Sequence, residues 1–116
     1  MPLRYRQFSK IIDTTATNGV GEAAPFVVDA GEFTEAMLSV TNETDSSWST
    51  GIVTVQVSLD RDIWWDAPSS VITDNTISAD GLYAIDLTDF GYVRFVPSTA
   101  EATLNVRVVL GGKVEV

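Results

Sequence analysis

The sequence contains no cysteine and no histidine. Their absence removes disulfides, thiol redox chemistry, Ser-His and Cys-His nucleophilic catalysis, and the usual ligand sets for zinc, copper and haem. Any catalysis would have to run on Asp, Glu, Lys, Tyr or Ser. The chain also lacks an apolar run approaching the roughly 18 residues that a spanning helix needs. Its basic start, Met1-Pro2-Leu3-Arg4-Tyr5-Arg6, is not followed by an apolar stretch of signal-peptide length. Neither a membrane partner nor export is expected. Helix signals are equally scarce, because no long window joins a 3.6-residue period to caps and good helix formers. Thr34 to Leu38 alone could form one helical turn.

Positive charge is in short supply, with 7 Lys and Arg against 16 Asp and Glu and a net charge of −9. Such a surface repels nucleic acid and anionic membrane. Arg4, Arg6 and Lys10 all fall within the first ten residues, where there is no acid, and residues 11–116 carry a net −12. A basic segment at 1–12 therefore precedes an acidic domain at 13–116. The segment reads either as an edge strand with its basic side chains in water, or as an arm that tethers an acidic neighbour, a second copy included. A chain of 116 residues makes one domain.

What is plentiful is alternation with a period of two. Val53, Val55, Val57 and Leu59 face one way, while Thr54, Gln56 and Ser58 face the other. Leu104, Val106, Val108 and Leu110 alternate with Thr103, Asn105 and Arg107, and Val93 and Phe95 flank Arg94 before Pro97 stops the strand. Weaker strands are expected over Phe26 to Val28, over Phe33 to Val40 with Thr34, Ala36, Leu38 and Val40 on one face, and over Leu82 to Leu87 with Tyr83, Ile85 and Leu87 inward. Hairpin turns are expected at Asn18-Gly19, Asp74-Asn75, Asp80-Gly81 and Gly111-Gly112, the last folding Val114 and Val116 back. Residues 13–24 read as a long loop. The pattern predicts an all-β domain of about eight strands, a single antiparallel β-sandwich with jelly-roll or Greek-key connections, with a closed barrel as the alternative.

Chemistry concentrates in Ser58-Leu59-Asp60-Arg61-Asp62-Ile63-Trp64-Trp65-Asp66. Asp60, Asp62 and Asp66 offer oxygen ligands of the type Ca²⁺ takes, but without the glycine and closing Glu of an EF-hand loop. Aspartates so placed also shape turns by accepting from backbone amides. Trp48, Trp64 and Trp65 suit either a sugar platform or a protein interface, where aromatics are enriched, and the interface is preferred. Adjacent Trp64 and Trp65 on a strand must point to opposite faces, so one of them is structural. The acids are spread along the chain, and no Ser-x-x-Lys, Gly-x-Ser-x-Gly or phosphate-binding glycine frame is present. The expectation is a protein that is not an enzyme and needs no cofactor.

Thr54 to Asp60 followed by Trp64 or Trp65, then Leu87-Thr88-Asp89-Phe90-Gly91-Tyr92-Val93-Arg94-Phe95 and the closing strand Leu104 to Leu110, resembles small β-sandwich modules in structural proteins of tailed bacteriophages. The likeness spans residues 51–110, with Arg61 where those modules carry a glycine after the aspartate. It implies a virion component made in the host cytoplasm, a capsid decoration or cement protein. Such a protein associates with itself, a trimer being favoured, and binds the major capsid protein or other virion proteins. On this reading Arg4, Arg6, Lys10, Trp48, Trp64 and Trp65 are the interface candidates. The competing expectations are a carbohydrate-binding module with a glycan as partner, and a tail, fibre or head-completion part.

Overall fold

The computed structural model describes residues 3–13, 26–31, 33–42, 52–97 and 105–115. Among these the chain forms nine strands and no helix. In order they are β1 (Leu3–Asp13), β2 (Phe26–Asp29), β3 (Phe33–Asn42), β4 (Val53–Ser58), β5 (Trp65–Asp66), β6 (Thr76–Ile77), β7 (Gly81–Ile85), β8 (Tyr92–Pro97) and β9 (Asn105–Glu115). One sheet has the order β1-β9-β3-β7, and the other β2-β8-β4-β5, with β6 also on β4. All pairings are antiparallel. The architecture is the β-sandwich that the alternation predicts.

The core lies where the inward residues of the two sheets meet. Leu38, Val40, Ile85, Val106, Val108 and Leu110 come from the first sheet, and Val28, Val53, Val55, Val57, Val93 and Phe95 from the second. Phe95 is fully buried and meets its cross-strand partner Phe26 with ring centroids 5.8 Å apart. Aromatic pairs across a ladder add to sheet stability beyond the area they bury. Phe33 enters the core edge-on to Phe8, 6.0 Å away. Its entry accompanies a register shift between Phe33 and Glu35, and Phe33 joins Ala36, Leu38 and Val40 against the core, while the side chain of Thr34, expected inward, lies outside those described. Thr34 to Leu38 belongs to β3 and not to a helical turn.

Three turn expectations are corrected. Gly111-Gly112 does not reverse the chain, because β9 runs straight through both residues and Val114 stays on the same inward face as Leu110. These glycines serve close approach: a Cβ on Gly112 would strike the Glu35 carbonyl oxygen and sit 2.9 Å from the Ala36 Cα, and one on Gly111 would strike the Tyr5 hydroxyl. Asp80-Gly81 does not close a hairpin, since β6 and β7 lie in different sheets. Asp74-Asn75 joins β5 to β6, each paired with β4 and not with the other. There Asp74 accepts from the Thr76 amide and hydroxyl, and Asn75 donates to the Ala67 carbonyl. Among the described residues, β4 and β5 are the only consecutive strands paired with each other. Asn18-Gly19, the 14–24 part of the expected loop, and Leu104 lie outside the described residues.

The two glycines should respond differently to substitution. Gly112→Ala meets backbone, so urea denaturation should show a loss of about 1–3 kcal/mol. Gly111→Ala meets only the exposed Tyr5 side chain and should cost less than about 1 kcal/mol. Phe95→Ala, which empties the centre of the core, should cost about 3–5 kcal/mol.

Candidate interaction surface

The β4–β5 hairpin carries the densest set of candidate residues, and its shape follows from one serine. Alternation ends at Ser58, which is fully buried, while Leu59 is 73% exposed, the reverse of the expected sides. The Ser58 hydroxyl accepts from the amides of Asp60 (3.2 Å) and Arg61 (2.9 Å) and donates to Asp60 Oδ1 (3.1 Å). That carboxylate in turn accepts from the amides of Asp62 (2.9 Å) and Ile63 (3.0 Å). A buried hydroxyl with all of its capacity used turns the chain sharply out of the sheet. Arg61 follows with φ of 67°, the left-handed region that favours glycine. Arg61 thus keeps a glycine-like backbone, and its guanidinium lies 5.9 Å from the Tyr92 ring centroid.

The hairpin drives apolar groups into water. Leu59, Ile63 and Trp65 are 73%, 56% and 67% exposed. The adjacent tryptophans differ, since Trp64, just before β5, is half-buried and carries the Arg94 guanidinium 4.5 Å over its ring. Arg94 Nε donates to Gln56 Oε1 (2.8 Å) and Gln56 Nε2 donates to Asp66 Oδ1 (3.0 Å). A polar row thereby crosses β8, β4 and β5 beside Trp64.

The other candidates are placed as follows. Among the described residues no cluster of three or more acidic side chains could hold a metal ion. Asp60 is engaged with the hairpin amides and Asp66 with Gln56, so Asp60, Asp62 and Asp66 are not brought together. Arg4, Arg6 and Lys10 are exposed on β1, on the side of the strand that also carries Phe8, and Arg6 reaches over the Phe8 ring at 5.3 Å. Trp48 lies outside the described residues.

A surface missed in the sequence lies on the outer face of the first sheet. There Tyr5, Met37 and Leu82, which are 69%, 41% and 69% exposed, border a shallow groove of about 470 Å³ floored by Val109, Gly111 and Gly112. It could be found only once Gly111 was known to lie within a strand. No described helix is long and apolar enough to cross a membrane.

The fold is that of a small antiparallel β-sandwich with a hairpin joining β4 to β5 in its second sheet. It is similar to a solved structure, that of the SPBc2 prophage-derived protein YomS. The match covers 97% of this chain and 96% of that one, with a TM-score of 0.63 and 13% sequence identity. No protein-family model matches the chain, and no curated protein matches it in sequence.

Acid should loosen the turns. Backbone amides of Ile63 and Asp62 hold the Asp60 carboxyl below its ordinary 3.8, and bonds to Thr76 and Thr88 do the same for Asp74 and Asp86. Their folded values are depressed, so the stability they add is complete above about pH 4 and is lost as pH falls through the lowered values. Thermal melts should fall in midpoint below about pH 4, and Asp60→Asn should flatten part of that fall. Arg61→Gly relieves the left-handed backbone and should raise stability by about 1 kcal/mol.

Proposed function

We propose that the chain is a non-enzymatic structural protein of a tailed-phage virion, a capsid decoration protein that binds and reinforces the head through protein–protein contacts. One observation carries this reading: Leu59, Ile63 and Trp65 stand exposed on a hairpin whose turn is hydrogen-bonded to the buried Ser58 hydroxyl. Apolar side chains on a pre-shaped loop suit a protein partner, because little order remains to be imposed on binding. An exposed tryptophan flanked by aliphatics has the composition of an interface hot spot. The prophage origin of the similar structure supports a phage setting, in line with the resemblance of residues 51–110 to phage β-sandwich modules. Self-association into a closed ring, a trimer being favoured, belongs to the same proposal.

The row of Arg94, Gln56 and Asp66 beside Trp64 favours one second reading, a carbohydrate-binding module. There a sugar face would stack on indole while the amide and carboxylate take its hydroxyls. The two readings assign different tryptophans.

Purified protein added to phage heads that lack it should co-sediment with them and raise the temperature at which they release DNA. Trp65→Ala should weaken head binding by 10-fold or more, on the order of the 2 kcal/mol that marks a hot spot, whereas Trp64→Ala should weaken it less. Retention on a glycan array, abolished by Trp64→Ala and accompanied by no head binding, would overturn the proposal in favour of the module.

A further inference from the structure

The first sheet ends in two unlike edges. β1 pairs with β9 and β7 pairs with β3, and among the described residues neither has a strand on its other side. An open edge is a template for a further strand unless something blocks it. β1 brings Arg4, Arg6 and Lys10 to its edge, and the first acid in the chain is Asp13. β7 lies within residues 62–93, a stretch with six aspartates and no lysine, arginine or glutamate. Asp80 immediately precedes β7, Asp86 immediately follows it, and both are exposed. The charges of Asp80 and Asp74 also reach the strand itself, adding to the desolvation that raises the Tyr83 phenol.

A second feature agrees. Phe8 packs against the core, so Tyr5 and Ile11, at the opposite alternation, lie on the outer face of β1 and are 69% and 45% exposed. Ile85 is buried and Tyr83 packs on the core, so Leu82 lies on the outer face of β7 and is 69% exposed. Joining β1 to β7 of another copy continues both alternations and sets Leu82 beside the outer residues of β1. Two β1 edges, by contrast, would bring six bases together against only the Asp13 of each copy, and two β7 edges would oppose acid with acid. Like charges across a ladder are destabilising.

From these edges we infer that copies of the protein join head to tail, β1 of one copy pairing antiparallel with β7 of the next, so that the first sheet continues from copy to copy. Alternating strand directions permit this without reversal, since β1, β9, β3 and β7 already run up, down, up and down. The contact is heterologous, so repetition closes into a ring when the rotation allows. The inference gives a geometry to the self-association in the proposed function, but it does not require that the oligomer bind a capsid.

Light scattering on the full chain tests it. The wild type should exceed the mass of one 12.6 kDa chain at low salt, and its association should weaken as salt rises. Arg4→Glu with Arg6→Glu and Lys10→Glu makes both edges acidic, whereas Asp80→Lys with Ala84→Lys makes both basic. Each variant alone should be monomeric, and mixing the two should restore association, which a merely misfolded variant cannot do. A monomeric wild type at millimolar concentration, variants that keep the wild-type mass, or a mixture that stays monomeric would each overturn the inference. Head binding by a monomeric wild type would sink this contact and leave decoration standing. A salt-sensitive oligomer that ignores heads would do the reverse.

Discussion

Strand β9 is the constraint on which the first sheet depends. It lies between β1 and β3 and bonds to both over nearly its whole length. It can do so only because Gly112 offers no Cβ to the Glu35 carbonyl, at the place where β3 shifts register. Beside that shift Phe33 enters the core, where it meets Phe8 and thereby anchors β1. The missing side chain at one position is thus coupled to the attachment of an entire edge strand. The outer face follows from the same feature, since Gly111 leaves the space over which the Tyr5 hydroxyl lies.

Much of the architecture was legible because burial on one face writes a period of two into the chain. Val53, Val55 and Val57, Val93 and Phe95, and Val106, Val108 and Leu110 were all assigned inward from that period, and all are buried. The errors arose where a residue type has two physical uses. Glycine marks both reversals and close approach, and only the neighbouring strand, absent from a local window, decides between them at Gly111 and Gly112. Asp80-Gly81 has the composition of a hairpin turn, yet it connects strands of different sheets, and which sheet a strand joins is a non-local choice. At the hairpin a period of two puts Leu59 inside and Ser58 outside, because alternation cannot foresee that a hydroxyl will be buried to cap a turn. Which of Trp64 and Trp65 is exposed was not legible, because Trp64 lies just before β5, where strand alternation does not apply. Nor was Arg94 over Trp64, because the two are brought together only by the ladder of β8 on β4.

The acidity of the molecule has a structural origin as well as a colloidal one. Asp60, Asp74 and Asp86 each accept a backbone amide two residues further on and so shape a turn. A fold with many sheet-crossing links needs many such turns, and aspartate supplies them with charge attached. The negative flank of β7 is in part a by-product of the turn at Asp86 and the link before it. Positive charge, which has no comparable part in turn-making, is then concentrated on the one long edge strand.

The order of the strands in the chain has a consequence for biosynthesis. β2, β4, β5, β6 and β8 make up the second sheet, and all of them leave the ribosome before β9. The first sheet cannot close until β9 emerges, because among the described residues β1 is paired to that sheet only through it. Pairing of Lys10 with Val108 closes nearly the full length of the chain, a contact of the kind that makes β-sandwiches slow to fold. Of the described strands β1 is therefore made before the others and is among the last to find its partner. Until then it is an unpaired edge of the kind that templates wrong pairing, and the like charges of Arg4, Arg6 and Lys10 work against its joining a second β1.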